Sequence, residues 1–537
     1  GEANKFYPLS HYDDIITNDF TGYDENGDII FKFHKKAIKN ADKYRDILRN
    51  RGKQKTNNRG SATGVANLKG FPKKAVKLIH PTTNEELPEN HKLVSIKYEN
   101  ENGKISKRCV SNYSRGSAVG YFDNVGKLPC REVGWTKNNP EKQSVLVELA
   151  EEVEEAFKKT DKSKYEFQKD MASKSPFTFG DTCFSTMTIN YDFRTAAHKD
   201  KGDLVNSLST LTIFEDKPNN YQGFYLGLPE YKVCFDIRDS DTLVFNAHEF
   251  HCNTEYKVLS NALPKDDMTG NSFAGRTAVV LYLRNRLHKC PPPYKIAIPS
   301  YNRPDIIREK TLKMLENIPK KFIYIFLHNE EQKELYNLDK EYNVVIMNNE
   351  PSIKQSRNFM KDYFEEGEKI VFVDDDIECI IDLERKPCNF RKVIEKGFKE
   401  IEKRGLKLWG LYPISNNFLM KEQITTDLRY CIGCFCGVIL DKEAEERTTE
   451  AVEDIERTIK YFKKYNGIVR MNMNAPKTLY FRVKGGITNG DKEKRKEKSK
   501  EDSIKLAKMF PEYCKFRERK HGLYDCKLLK IKPKIIS

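Results

Sequence analysis

The sequence predicts two domains of different class: a β-rich jelly roll over residues 1–288 and a Rossmann-like α/β domain over residues 294–537, joined by a proline-rich linker at 289–293. Three observations carry this. The chain, at 537 residues, is too long for one ordinary core. Its apolar pattern changes midway, from closely spaced strands to strands that alternate with helices. Three consecutive prolines, Pro291–Pro293, sit at the change and admit neither a helix nor a central strand.

From residue 20 to 140 short strand-like runs such as KLVSIKY alternate with loops rich in Gly, Asn and Lys, including NRGKQKTNNRGSATG at 50 to 64, so irregular β structure is expected. SVLVELAEEVEEAFKKT, 144 to 160, puts apolar residues at helical spacing with acids opposite, which predicts an amphipathic helix. Then come CFSTMTINYDF, LSTLTIF, GFYLGLP, KVCFDI, DTLVFNA and TAVVLYLRNR at short spacing, the pattern of a sandwich or barrel of jelly-roll type. After the prolines follow KIAIPSYN, a helix from about 304 to 317, KFIYIFLHN, a helix, NVVIMNN, a helix near 354 to 364, and KIVFVDDD. Such nearly all-apolar strands predict a mostly parallel sheet covered on both faces. The mixed-charge run DKEKRKEKSK, 491 to 500, reads as a solvated loop or helix surface.

Composition narrows the class of function. Hydrophobic residues make up 38% and charged residues 32%, a globular balance. The net charge of +15 favours a polyanionic partner, nucleic acid first. Thirteen scattered cysteines lack the dense spacing of a secreted disulfide scaffold, and no stretch approaches the length of a membrane span, so a reducing, intracellular setting without a membrane partner is expected.

Two groups of residues carry chemistry. In TAAHKDKGD, His198 and Asp200 lie two residues apart after a strand, so their side chains emerge on one side with Cα atoms roughly 6 to 7 Å apart. DTLVFNAHEFHCNTEY offers His248 or His251 as a third ligand. Two imidazoles and a carboxylate on one face of an iron ion leave positions open for a chelating cosubstrate and oxygen. Arg276 opens a later strand, where a buried guanidinium can grip a carboxylate with two parallel hydrogen bonds. In the second half KIVFVDDDIECI ends an apolar strand in Asp374, Asp375 and Asp376, at the carboxyl rim where α/β domains bind ligands. Alternate aspartates there can share Mg2+ or Mn2+. CIGCFCG holds Cys431, Cys434 and Cys436, but one CxxC without a second pair is a weak zinc signal.

STMTINYDFRTAAHKDKGD, HCNTEY, RTAVVLYLRNR, SNYSRGSAVGYFD and CREVGWT resemble blocks of the TET/JBP family of nucleic-acid dioxygenases. That resemblance implies a double-stranded β-helix that uses Fe(II), 2-oxoglutarate and O2 to oxidise the methyl group of 5-methylcytosine or thymine. It makes His198, Asp200 and His251 the iron ligands, prefers His251 to His248 because a small residue and Thr follow in HCNT, and assigns 2-oxoglutarate to Arg276 with Asn190 and Tyr282 beside it. The interval between His251 and Arg276 is longer than the family's, filled by VLSNALPKDDMTGNSFAG. Arg59 and Arg115 are candidate phosphate contacts.

IAIPSYNRP, QSRN and EDIER, with the aspartate triplet, resemble GT-A glycosyltransferases, and the order of the two halves resembles TET-associated glycosyltransferase fusions. By that analogy Ser300, Tyr301 and Arg303 meet the nucleotide of a donor such as UDP-glucose. Arg357 and Asn358 meet its ribose or diphosphate, and Asp374 and Asp376 hold Mn2+ or Mg2+; Trp409 and Tyr412 either stack on sugar or base or belong to the core. An inverting transferase needs a carboxylate to take the acceptor proton; Asp454 is the first choice and Glu453 the second. The function expected is hydroxylation of a 5-methylpyrimidine in DNA followed by glycosylation of the new hydroxyl. A hydroxylase and glycosyltransferase acting on a protein side chain, and a non-catalytic nucleic-acid scaffold, are the alternatives.

Overall fold

The structure, a computed structural model, describes residues 2–71, 74–124, 128–316, 318–478, 492–519 and 523–534. Contacts divide the chain into two units, Gly1–Pro291 and Pro292–Ser537.

The first unit is built on a large antiparallel sheet. Its strands run in the order Phe20–Tyr23, Ile29–His34, Thr242–Phe245, Ser209–Glu215, Arg276–Tyr282, Thr186–Tyr191, Ser114–Phe122 and Lys55–Thr56, with Arg131–Glu132 paired to Ser114–Phe122. A smaller sheet orders Asp14–Ile16, Val233–Phe235, Leu226–Leu228 and Cys252–Asn253. The strands are buried on both faces because each face meets a different layer. Met187, Ile189, Val279 and Leu281 point to one side and pack with Leu146, Leu149, Val153 and Phe157. Leu211, Ile213, Leu243 and Phe245 belong to a second core with Leu226, Leu228, Val233 and Phe235 of the small sheet. The period of two therefore sends alternate side chains toward the helices or into the space between the sheets.

The helix beneath the large sheet spans Pro140–Thr160. Proline in its first turn sets φ without losing a needed donor, and Leu146, Leu149, Ala150, Val153 and Phe157 form its buried stripe. It stops at Asp161, whose extended backbone and side chain cap the next helix, Lys162–Ser173, through Lys164 N. A disulfide joins Cys130 to Cys290, and eleven other cysteines are free thiols.

The second unit has an eight-stranded sheet in the order Asn343–Ile346, Ile323–Leu327, Lys295–Pro299, Lys369–Val373, Phe435–Ile439, Leu408–Leu411, Val469–Met471 and Ile424–Thr425. The first four strands are parallel, with order reversing at Lys295–Pro299. Phe435–Ile439 runs antiparallel to both neighbours, so the sheet is mixed where a mostly parallel one is expected. The cause is the connection: the chain from Leu411 to Phe435 contains no helix, and without a crossover the strand returns in the opposite sense. The helix expected from 304 begins as α over Pro304–Ile307, widens to a π turn, Arg308–Leu312, and returns to α at residues 313–314. In that turn Thr311 Oγ1 donates to Asp374 O (2.6 Å) and accepts from Ile377 N (2.9 Å), which ties the turn to the aspartate triplet. The charge run from 492 lies in a helix, Lys492–Met509; Asp491 falls outside the described residues. No helix among the described residues is long and apolar enough to cross a membrane.

Candidate functional sites

The first site lies between the two sheets of the first unit, in a cavity of about 300 Å³. Strand alternation selects its walls. Thr188 and Asn190 from one strand, and Arg276, Ala278, Val280 and Tyr282 from its neighbour, face the cavity while the residues between them face the helices. His198 and His251 meet across an isolated antiparallel bridge in which each backbone N–H donates to the other's carbonyl, at 3.2 and 3.1 Å. This brings two residues fifty-three positions apart into one cluster.

Ligand atoms of His198, Asp200 and His251 all lie within 4.8 Å of one another, and no other such group of three occurs among the described residues. Asp200 Oδ1 is 3.7 Å from His198 Nε2, and Oδ2 is 3.6 Å from His251 Nε2. Each imidazole is oriented from behind: Nδ1 of His198 is 2.8 Å from Ala196 O, and Nδ1 of His251 is 3.0 Å from Glu249 O. A carbonyl can only accept, so each ring keeps a proton on Nδ1 and turns Nε2 toward the cluster, where it can bind a metal once it carries no proton of its own. Burial, then the neighbouring His251, lowers His198 to about 4, which keeps it neutral. Burial would raise Asp200, but the hydrogen bond and charge of His251 outweigh it and hold the carboxyl at about 2, and Asp200 in return raises His251, so a cation bound there would displace the proton on His251 Nε2. The donor set and its protonation fit a divalent iron. His248 is elsewhere, with Nε2 3.3 Å from Leu204 O.

Arg276 is 2% exposed. Its Nε has no hydrogen-bond partner, and its guanidinium lies 4.6 Å from the Phe224 ring centroid. Asn190 Oδ1 is likewise buried without a partner, and Tyr282 shares a 3.2 Å hydrogen bond with Thr188 Oγ1. A buried cation whose Nε is unsatisfied is costly, and an anionic group seated in the cavity removes that cost. These groups fit the dicarboxylate expected beside the iron. Gly116 makes room for them, since a Cβ there would stand 2.6 Å from Asn190 Oδ1 and 3.1 Å from Arg59 Nη2.

Of the two expected phosphate contacts, Arg115 is corrected. It is committed to Asp266 (2.7 Å), Asp267 and Lys53 O inside the fold, because its strand points it at the 266–267 loop. Arg59 lines the cavity and donates to Ser117 O at 3.0 Å. Sequence reading missed Asp203 and Arg284, which line the same cavity. Burial, then Asp200, raises Asp203 well above the usual carboxylate range. Their one signal is proximity in sequence, Asp203 three residues past Asp200 and Arg284 two past Tyr282.

The second site is a cavity of about 380 Å³ in the second unit, at the carboxyl ends of Lys295–Pro299 and Lys369–Val373. Strand order reverses between these two, which opens a crevice at their ends. Ser300, Tyr301, Arg303, Arg357, Asp374, Asp376, Glu453 and Asp454 all line it. Asp375 lines the cavity as well, and it accepts from Ser300 Oγ (2.6 Å) and Arg303 Nη1 (3.1 Å), which ties the triplet to the start of the loop after Lys295–Pro299. Arg357 Nη2 donates to Asp374 Oδ1 at 3.0 Å, and its buried Nη1 has no hydrogen-bond partner.

Glu453 and Asp454 stand in the first turn of the helix Glu453–Tyr465. Burial would raise Glu453, but Arg357, Arg447 and Arg457 outweigh it and hold the carboxyl at about 2. Asp454 is raised by burial and then by Glu453, while Tyr430 OH (2.5 Å) and Gly433 N (3.1 Å) donate to its Oδ2. The higher of two adjacent carboxyls is the better proton acceptor.

Three residues depart from expectation. Asn358 is not in the cavity; it brackets Arg447, donating to its O (3.0 Å) and accepting from its N (2.8 Å). Trp409 is fully buried, held between Gly397 and Gly437, where a Cβ would come within 2.4 and 2.3 Å of the indole; it is core and stacks on no ligand. Tyr412 packs on a small core of Ile381, Met420 and Ala475, with the Arg470 guanidinium 5.1 Å from its ring centroid. Cys431, Cys434 and Cys436 are buried free thiols, with Cys436 in a central strand.

Comparison with known proteins places the first unit. Residues 117–285 match the Tet_JBP family, described as the oxygenase domain of the 2OGFeDO superfamily. Thymine dioxygenase JBP1-B of Trypanosoma cruzi (strain CL Brener) is 33% identical over 172 residues, 32% of this chain and 19% of that protein. Thymine dioxygenase JBP1 of Trypanosoma brucei brucei is 30% identical over 176 residues, again 32% and 19%. The bifunctional helicase and thymine dioxygenase JBP2 of Trypanosoma brucei brucei (strain 927/4 GUTat10.1) is 33% identical over 156 residues, 28% of this chain and 14% of that protein. The chain thus spans about a fifth or less of the length of these relatives. NgTET1 in complex with 5mC DNA is 10% identical over 52% of this chain and 84% of that one at a TM-score of 0.30, too weak a likeness to argue from. Residues 117–285 carry a TET/JBP-like oxygenase domain of the iron and 2-oxoglutarate dioxygenase superfamily.

Proposed function

We propose that this chain oxidises the 5-methyl group of a pyrimidine in DNA, thymine first, and then glycosylates the resulting hydroxymethyl group. The observation that carries the first step is the His198, Asp200 and His251 cluster sharing one cavity with the Arg276 guanidinium, on a domain whose relatives are named thymine dioxygenases. His198, Asp200 and His251 hold Fe(II), and Arg276 grips the distal carboxylate of 2-oxoglutarate, with Asn190 and Tyr282 along its length. Bound there with O2, the cofactor pair supplies the oxidising power for an unactivated C–H bond. The protein's part is positional. Ala196 O and Glu249 O fix the imidazoles, Gly116 keeps the cosubstrate end open, and the sheet walls exclude water. A base within a duplex reaches such a cavity only by leaving the stack.

The parallel strands reversing at Lys295–Pro299, and the aspartates at that edge, support a GT-A-type transferase for the second unit. Asp374 and Asp376 bind Mn2+ or Mg2+ with the donor's diphosphate, Arg357 adds charge for the departing nucleotide, and Ser300, Tyr301 and Arg303 seat it. Asp454 takes the proton from the acceptor hydroxyl as its oxygen attacks the anomeric carbon. Tethering the two units raises the concentration of the first product around the second site.

The test is incubation of the full chain with Fe(II), 2-oxoglutarate, thymine- or 5-methylcytosine-containing duplex and UDP-sugars, followed by nucleoside mass analysis. The expected products are a base gaining one oxygen and, with donor present, a hexosyl unit besides. DNA that stays unmodified under all these conditions refutes the reading.

A further inference from the structure

The segment Ala66–Val110 precedes the oxygenase match, and no role for it follows from the two sites. It folds as a small lobe with its own core, Ala66, Phe71 and Ile96 packed with Leu78, Leu93 and Tyr98, and its own hairpin, Ala75–Ile79 against Lys97–Asn100. We propose that this lobe is the surface that holds the DNA backbone at the mouth of the first site. The proposal rests on the reading of that site as a DNA-base oxygenase and adds which surface holds the strand.

Position is the first argument. Ser111, just past the lobe, is bonded to the turn Arg59–Ala62, which lines the cavity, and Asn112 ties the start of the lobe to the residues that follow that turn. Ser111 Oγ accepts from Arg59 N and Gly60 N at 3.1 Å each. Asn112 Nδ2 donates to Thr63 O and Val65 O at 2.9 Å, and its Oδ1 accepts from Asn67 N at 2.9 Å. Gly70 packs so closely on this amide that a Cβ there would fall 2.4 Å from Asn112 Oδ1. On the other side Ala62 O accepts from Ala196 N at 2.8 Å, two residues before His198. The lobe is therefore tied, through the segment 59–65, to the backbone two residues before His198.

Charge is the second argument. The lobe contains nine Lys and Arg against five Glu. Elsewhere in the unit, arginines such as Arg45, Arg115, Arg238 and Arg284 are engaged by carboxylates. In the lobe Lys69, Lys74, Lys92, Lys104, Lys107 and Arg108 are exposed and form no ion pair with a described residue, whereas Lys77 pairs with Glu86. Lys74, Lys104, Lys107 and Arg108 belong to neighbouring turns, since Glu101 N donates to Lys74 O and Asn100 N to Lys104 O. Exposed Leu68, Val76 and Ile105 add apolar surface among these cations. A phosphate chain complements such a surface, and a flipped base needs its flanking backbone held.

The experiment compares the full chain with a K74A/K104A/K107A/R108A variant for binding to a thymine-containing duplex across a salt series. All four side chains are exposed, so an unchanged melting temperature and an unchanged Fe(II) affinity serve as controls for the fold and the first site. The expected result is an affinity about ten- to a hundredfold lower and a slope of log K against log salt shallower by about 2 to 4, near one for each phosphate that the variant leaves unneutralised. Wild-type affinity and slope in the variant, with base oxidation intact in both, would overturn the proposal and leave the base-oxygenase reading standing. Loss by the variant of binding to an acidic protein, such as a polyglutamate chain, with DNA binding unchanged would also overturn it. A wild-type chain that neither binds nor oxidises DNA removes the reading and the proposal together.

Discussion

At the scale of single residues the first site turns on which atoms face the cluster. His251→Ala should abolish Fe(II) binding, measured by metal content, and reduce succinate formation by more than the roughly 10- to 100-fold that loss of a ligand's hydrogen-bond partner costs. His248→Ala should leave both near wild type, because its imidazole is turned to Leu204 O. Arg276→Lys keeps the charge but loses the planar pair of donors, so KM for 2-oxoglutarate should rise about 10- to 100-fold with Fe(II) affinity unchanged. His34 gives a pH signature remote from either site. Burial first, and Lys32 second, lower it to about 4 in the folded chain, below its ordinary 6.5. Between these values the unfolded chain binds a proton that the folded chain does not, so this residue's contribution to stability is full above pH 6.5 and is lost as pH falls toward 4. A fall in melting temperature of the first unit from pH 7 to 5 that is reduced in His34→Gln would report it; equal falls in both proteins would contradict it.

Elements hold these residues through packing that pattern alone only partly discloses. The strand RTAVVLY alternates cleanly, and its period of two is enough to put Arg276 and Tyr282 on one face and Val279 and Leu281 on the other. The bridge joining His198 to His251 has no such local pattern, because it depends on two loops from different strands meeting edge to edge. For the same reason Arg115 reads as a phosphate contact in sequence, yet its strand aims it at Asp266. Trp409 reads equally as a ligand-stacking aromatic or as core, and two facing glycines show that it belongs to the core. Gly437→Ala should therefore drive a methyl into the indole and destabilise the second unit by about 1 to 3 kcal/mol, while Fe(II) binding by the first unit stays unchanged. Calorimetry with parallel metal titration measures both.

For the whole molecule, the proposed order of reactions predicts separable defects. His251→Ala should still transfer sugar to synthetic duplex that already carries 5-hydroxymethyl groups, and Asp454→Asn should still oxidise the methyl group but stop there. Nucleoside mass profiles of the two variants distinguish this from a single shared site, in which either change would block both products.

What the sequence determined by itself is the set of candidate site residues and the β or α/β class of each half. Strand period, the prolines at 291–293, the HxD pair and the aspartates after KIVFV are local, and local rules of alternation and strand ends suffice to read them. Tertiary structure decided the partnerships: His251 rather than His248 in the cluster, Asp375 tied to Ser300 and Arg303, Asp374 to Arg357, and Asn358 to the backbone of Arg447. It also decided the antiparallel sense of Phe435–Ile439. Each of these depends on which residues distant in sequence share a hydrogen bond or a face. That is set by how sheets and loops close on one another, and no window of the sequence contains both partners.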